Sequence, residues 1–342
     1  MAVRRTAAYL CPVIPVVHHP DYVAAPDPNA PHGARMAQSS KNGLIRDLLC
    51  DCGMPLAWHR PEPMPRRWLE EVHDPDYVAE VLAAAVPRDK ERRIGFPVTP
   101  AVAARSQVVP GGTWLAARLA LEHGFAANSA GGSHHALSDT GAGYCVFNDL
   151  AVAAVRLIEE GTVDRLLVVD VDVHQGDGTA ALTAGRPGIA TYSIHAAKNF
   201  PVRKARSTLD VALPDGGGDD EYLDALERSL VPMLDEVRPQ LILYQAGVDP
   251  FAGDQLGRLA LSDEGLARRE RLVAGLARGR GVPLASTVGG GYGPDKPAIA
   301  RRHVAAILTL SAAFGLVADA GAQSLATPAA TQSGLGGTGG QA

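Results

Sequence analysis

The stretch VVDVDVHQGDG (168–178) sets two carboxylates and an imidazole at alternating positions of an otherwise apolar run. A buried strand has no structural use for charge there, so Asp170, Asp172 and His174 need partners. Period-two alternation sends the three side chains to one side. Asp249, in AGVDPFAGD (246–254), would add an oxygen donor and complete an Asp172, His174, Asp249 set of protein ligands. Three protein ligands leave a coordination position open. Zn2+ accepts this mix of nitrogen and oxygen and can hold a water and a substrate carbonyl in the open position, as a hydrolytic site requires. Fe2+, Co2+ or Mn2+ also suit the set. Taken singly, each residue reads as a turn, a cap or a satisfied core group; only their joint occurrence points to a metal.

Beside this set stand His134 and His135 in GGSHHA (131–136), after two glycines that let the backbone approach closely. Two imidazoles next to a metal provide a proton acceptor and a proton donor near neutral pH, and each needs an orienting carboxylate. Asp170 and Asp177 are the acceptors at hand. Tyr292, in VGGGYGPD (288–295), lies in a loop that its glycines make flexible and sterically open, where a phenol can stabilise an oxyanion. A second pair, His18–His19, shows that the HH dipeptide alone says little.

The elements that must position these groups alternate along the chain. Apolar runs at Gly124–Ala130, Arg165–Val171, Ile189–Ile194, Gln240–Ala246 and Pro283–Val288 read as buried strands. Most run into the polar motifs at their carboxyl ends, where open parallel sheets place their sites. Helical spacing marks 101–123, 148–160, 219–237, 262–280 and 297–314, with Asn148 and Asp149 as caps for the second. The amino-terminal apolar run reads as a first strand, and His32–Leu49 leads into a helix. The fold class expected is therefore α/β, a single domain with a largely parallel central sheet flanked by helices, over residues 1–318. Residues 319–342, rich in Gly, Ala, Ser, Thr and Gln without periodicity, read as a disordered tail.

Composition bounds the partners. With 342 residues, 46% hydrophobic residues and a net charge of −5, the chain can bury a core without staples and offers no basic patch for nucleic acid. No stretch reads as a membrane span. The two arginines ahead of the first apolar run resemble a secretory leader, but prolines interrupt that run and no cleavage site follows. Cysteines at 11, 50, 52 and 145 lack zinc-finger spacing and disulfide density, which suits a reducing cytoplasm.

Taken together, HHPDYV (18–23), HDPDYV (73–78), GGSHHA, GYCVFND (143–149), VDVDVHQGDGTA (169–180), AGVDPFAGDQLGRLALS (246–262) and GGGYG (289–293) resemble the zinc-dependent histone deacetylase family of the arginase/deacetylase superfamily. The resemblance runs from about Val16 to Leu310. It implies zinc on Asp172, His174 and Asp249, with His135 as general base and then acid and His134 as its electrostatic partner. It further implies that Asp170 and Asp177 orient the histidines and that Tyr292 polarises the scissile carbonyl. Gly143, Tyr144 and Phe200 would wall a channel for an acyl-lysine-like side chain, and backbone near Asp170, Asp172, His174, Ser193 and Ile194 resembles a structural K+ site. Arg35, in a poorly matching stretch, is the candidate for an acetate-exit role. Two positions depart from the common pattern: Tyr144 stands where many members have Phe, and Gln175 replaces a His, which points to a class IV-like branch.

The activity implied is hydrolysis of an acylated amine: acetyl- or longer acyl-lysine, a polyamine or a small metabolite. Two other functions compete with it. A non-catalytic acyl-lysine-binding module would not need Tyr292 together with His135. An arginase-like ureohydrolase with two manganese ions would want D-A-H-x-D where this chain reads D-V-H-Q-G-D. Oligomeric state is left open by the sequence.

Overall fold

Strands that are apolar on both faces must be covered on both faces, and the chain does this with a parallel sheet between helical layers. The computed structural model describes residues 13–23 and 39–317. Eight strands, β1 (Ile14–Val17), β2 (Leu56–His59), β3 (Phe125–Asn128), β4 (Leu166–Asp170), β5 (Ile189–Ala196), β6 (Leu209–Leu213), β7 (Leu241–Gln245) and β8 (Leu284–Thr287), form one sheet in the order β2-β1-β3-β8-β7-β4-β5-β6. Every pairing is parallel. After β3 the chain crosses to β4, builds outward through β5 and β6, then returns to place β7 and β8 in the gap. The crevice of such a reversal lies at the carboxyl ends of the central strands, and the site residues follow those ends.

Alternation within each strand divides the core. Leu167 and Val169 of β4 face α1 (Ser39–Asp51), α8 (Asp219–Val237), α9 (Asp263–Gly279) and α10 (Lys296–Ala313). Leu166 and Val168 face α5 (Pro100–His123) and α6 (Asp149–Glu159). A third apolar cluster packs the short α2 (Arg66–Glu70), α3 (Pro75–Leu82) and α4 (Arg88–Ile94) onto Phe147, Ala151 and Val152 at the start of α6. Caps fix the helix entries: the Asn148 side chain accepts from Ala151 N–H, Ser262 from Gly265 N–H and Asp295 from Ala298 N–H.

The five strands and five long helices read from periodicity are all present, with ends shifted by one or two residues. Two edge strands, β2 and β6, were not anticipated; β2 (LAWH) is half-buried apart from the exposed Trp58, and β6 is half-buried over most of its length. Residues 1–12, Arg35 and the tail 319–342 lie outside the described residues. Among the described residues, no helix is long and apolar enough to cross a membrane.

Candidate active site

The pleat of β4 stops at Asp170, so alternation alone does not bring Asp172 and His174 to the site as the sequence suggested. A turn does, held by its own side chains: Asp170 Oδ1 accepts from Asp172 N–H (3.1 Å), and Asp172 Oδ1 accepts from His174 N–H (3.0 Å). The third member arrives after β7, where Asp249 Oδ1 accepts from Val173 N–H (2.9 Å). One ligand atom from each of Asp172, His174 and Asp249 then lies within 4.8 Å of the others. His174 Nδ1 is 2.9 Å from Asp172 Oδ1 and 3.2 Å from Asp249 Oδ2.

The donor set fits a cation. Asp249 Oδ2 is sealed from solvent with no well-formed hydrogen bond, its nearest polar contact being His174 Nδ1, an expensive state for a carboxylate oxygen. Burial and the charge of Asp172 push the Asp249 carboxyl up to about 7. Burial opposes charge on His174 as well, yet the two carboxylates outweigh it and raise that imidazole to about 10. The cluster thus draws in positive charge, and a divalent ion on these atoms would supply it without a proton.

Two histidines stand beside this set, each on its own carboxylate. His134 Nδ1 lies 2.6 Å from Asp170 Oδ2, and His135 Nδ1 lies 2.7 Å from Asp177 Oδ1, at the start of α7 (Asp177–Thr183). With each Nδ1–H donating to its carboxylate, each Nε2 is left for chemistry. Their environments separate them. Burial and the neighbouring His134 lower His135 to about 4, against the pull of Asp177, whereas Asp170 and Asp172 overcome burial and raise His134 to about 9. In the metal-free protein the two rings are thus pushed in opposite directions, His135 toward the neutral acceptor and His134 toward the imidazolium, with centroids 4.0 Å apart.

The Tyr292 ring sits 6.2 Å from that of His174 and 5.8 Å from that of Tyr144. Burial, with Asp172 and Asp249 nearby, keeps its phenol well above the usual value, hence protonated. The glycines before it serve contact more than looseness. Gly290 N–H donates to Asp172 Oδ2 (2.9 Å), and a Cβ at 290 would collide with the Asp172 and Asp249 carboxylates. Tyr292 itself is pinned through its backbone, its N–H donating to Asp254 Oδ2 (2.6 Å) and its carbonyl accepting from Gln255 N–H (3.1 Å).

Gly143 and Phe200 lie against His135, and Tyr144 lies against Tyr292. The Phe200 ring meets His135 edge-on at 4.8 Å and is 43% exposed. A Cβ on Gly143 would stand 2.6 Å from His135 Cδ2 and 3.2 Å from Phe200 Cε1, so a side chain there would displace His135. Tyr144 is held at φ 66 by its N–H bond to the Ile94 carbonyl (2.8 Å). Asp170 is paired in register with Ser193, whose Oγ lies 3.0 Å from His195 Nδ1. His18 makes no bond to these groups; its Nδ1 lies 2.8 Å from Ser129 Oγ.

Three supports escaped the sequence reading. Gln245 donates from Nε2 to Asp172 Oδ2 (2.7 Å) and accepts from Gly247 N–H (2.8 Å). Asp149, expected only as a cap, accepts from Ser133 N–H (2.6 Å), Gly132 N–H (3.1 Å) and Thr113 Oγ1 (2.5 Å), and so holds the turn that delivers His134 and His135. His73 bridges the Leu137 carbonyl (Nδ1, 2.8 Å) and Asn148 N–H (Nε2, 3.0 Å). A polar residue closing an apolar strand was a signal for Gln245; the other two depend on neighbours distant in sequence.

A family model described as histone deacetylase domain matches residues 33–308. An uncharacterized protein of Picosynechococcus is 45% identical over 291 residues, which is 84% of this chain and 95% of that protein. A histone deacetylase-like amidohydrolase of Pseudomonas aeruginosa is 34% identical over 171 residues, which is 46% of this chain and 45% of that protein. The crystal structure of the HDA15 HD domain shares the fold, with a TM-score of 0.72 over 92% of this chain and 93% of that one at 19% identity.

Proposed function

Because the chain belongs to the histone deacetylase family, we propose that it is a metal-dependent deacylase hydrolysing the amide of an acylated amine, whether acyl-lysine, a polyamine or a small metabolite. The observation that carries this reading is the pairing of two adjacent histidines, each on its own carboxylate, with a buried Asp–His–Asp set.

Asp172, His174 and Asp249 would hold the ion, Zn2+ by ligand type, with Fe2+, Co2+ or Mn2+ also suited. When bound, it supplies Lewis acidity toward the carbonyl and lowers the pKa of water. His135, neutral and fixed in one tautomer by Asp177, takes the proton of the attacking water at Nε2 and returns it to the departing amine. His134 keeps positive charge beside the reacting centre, anchored by Asp170. Tyr292, protonated, donates to the oxygen on which negative charge develops. Gly143, Tyr144 and Phe200 confine the straight stem of the acylated amine and keep bulk water off it. A structural K+, if bound, would lie beside the site at the backbone near Asp170 and its register partner Ser193. The HQGDG motif supports a class IV-like branch, and the free thiols of Cys50, Cys52 and Cys145 are in keeping with a cytoplasmic location.

Incubating zinc-loaded protein with acetyl-, butyryl- and myristoyl-lysine peptides and acetylpolyamines tests the reading. Release of acid from one series is expected. Binding of acyl-lysine peptides by metallated protein with no release from any substrate would overturn it in favour of a binding module.

A further inference from the structure

Arg269 and Glu270 are adjacent in α9, and both are sealed from solvent, Arg269 at 0% exposure and Glu270 at 1%. The guanidinium reaches behind the two loops that carry the carboxylate ligands. Its Nη1 donates to the Gly247 carbonyl (2.8 Å) and to the Val171 carbonyl (3.2 Å). Its Nη2 donates to Glu270 Oε1 (2.5 Å), and Glu270 Oε2 accepts from the Tyr244 hydroxyl of β7. Val171 directly precedes Asp172, and Gly247 lies two residues before Asp249. Gly247 also packs against the Asp172 carboxylate so closely that a Cβ there would overlap it. One planar group thus spans the backbone of both loops at the point where they touch.

Stability alone is a poor reason for this pair. Removing two charges from water costs several kcal/mol each, and replacing a buried ion pair with packed apolar groups is often neutral or stabilising. What a guanidinium provides and an apolar side chain does not is a rigid fork of donors at fixed separation. We propose that Arg269 is a positioning residue that fixes the spacing of the Asp172 and Asp249 loops from behind and thereby sets the affinity of the metal site, with Glu270 and Tyr244 fixing the guanidinium. The inference rests on the reading of Asp172, His174 and Asp249 as metal ligands. Tyr222, whose hydroxyl lies 3.4 Å from the Val171 carbonyl, reaches only one of the two loops.

The test compares wild type with Arg269→Met/Glu270→Gln, which removes both charges together, and with Arg269→Lys, which keeps a charge opposite Glu270 but loses the fork. Far-UV circular dichroism and melting of metal-free protein report folding. Zn2+ affinity is read by competition with a chromophoric chelator, and ligand geometry from the visible absorption of the Co2+ form. The double variant should fold yet bind Zn2+ about 10- to 100-fold more weakly, the usual cost of losing a group that orients a metal ligand, with an altered Co2+ band; Arg269→Lys should fall between. Folded variants with wild-type Zn2+ affinity and Co2+ spectrum would overturn the proposal, as would failure of both variants to fold, which would assign Arg269 to the core. Wild-type protein that binds neither Zn2+ nor Co2+ would instead sink the metal reading itself.

Discussion

In the proposed mechanism His135 and Tyr292 act at different moments, and their removal should leave different traces. His135 is a neutral acceptor because burial and His134 overcome Asp177; its change to Ala should leave bound metal near wild type and lower kcat by roughly two to four orders of magnitude. Tyr292 contributes a phenol that matters once charge builds on the carbonyl oxygen, so Tyr292→Phe should keep KM within a small factor and cut kcat by about a hundredfold. Steady-state kinetics on a cleaved acyl-lysine peptide, with elemental analysis of both proteins, separates these effects. Near-native turnover in His135→Ala would move the base elsewhere, and equal kcat in Tyr292→Phe would return that tyrosine to the loop.

At the scale of elements, what the sequence disclosed followed burial. Strands β3, β4, β5, β7 and β8 lie inside the sheet order and are buried in nearly every residue, so their runs carry few charges and stand out; β2 and β6 close the two edges, mix in exposed and polar residues, and read as loop. The motif loops were legible because their residue types are costly anywhere but a site. Gln245, Gly247 and Arg269 were not, because their meaning lies in loops that meet only after folding. Gly290 belongs with them: φ is not what requires glycine there, since a Cβ at 290 would come within 2.6 Å of Asp172 Oδ2 and 2.8 Å of Asp249 Cγ. Gly290→Ala should therefore weaken Zn2+ binding at least tenfold while metal-free protein melts nearly as wild type does. Gly275, on the exposed face of α9 with open space where its Cβ would go, is the control. Gly275→Ala should stabilise by about 0.5–1 kcal/mol and leave metal affinity unchanged. A Gly290→Ala protein with wild-type Zn2+ affinity would show that the loop can yield without disturbing the ligands.

At the scale of the whole molecule, His73, between α2 and α3, ties the peripheral helices to the segment after His134 and His135 and to the start of α6. Its ring sits at 2% exposure against Phe147 and Tyr77, donating from Nδ1 to the Leu137 carbonyl and accepting at Nε2 from Asn148 N–H, the residue that caps α6. Both bonds are satisfied only by the neutral ring, and burial lowers its pKa to about 4 against backbone acceptors that pull the other way. In the unfolded chain the ring titrates near 6.5, so between pH 6.5 and 4 the unfolded state binds a proton that the folded state refuses. Stability must then rise with pH across that window. The contribution is fully present above the unfolded value and is lost as pH falls toward 4, with a slope of about 1.4 kcal/mol per pH unit and a total of about 3 kcal/mol from this ring. His73→Gln, which has no titration, should be less stable than wild type at pH 7 but should lose stability more slowly on acidification. Urea unfolding at pH 7, 6, 5 and 4.5 measures the two slopes in metal-free protein, where the site's own carboxylates contribute equally to both. A difference near one proton between pH 6 and 5 is the expected result; parallel slopes would mean that His73 is already protonated in the folded state and that Asn148 N–H finds another acceptor.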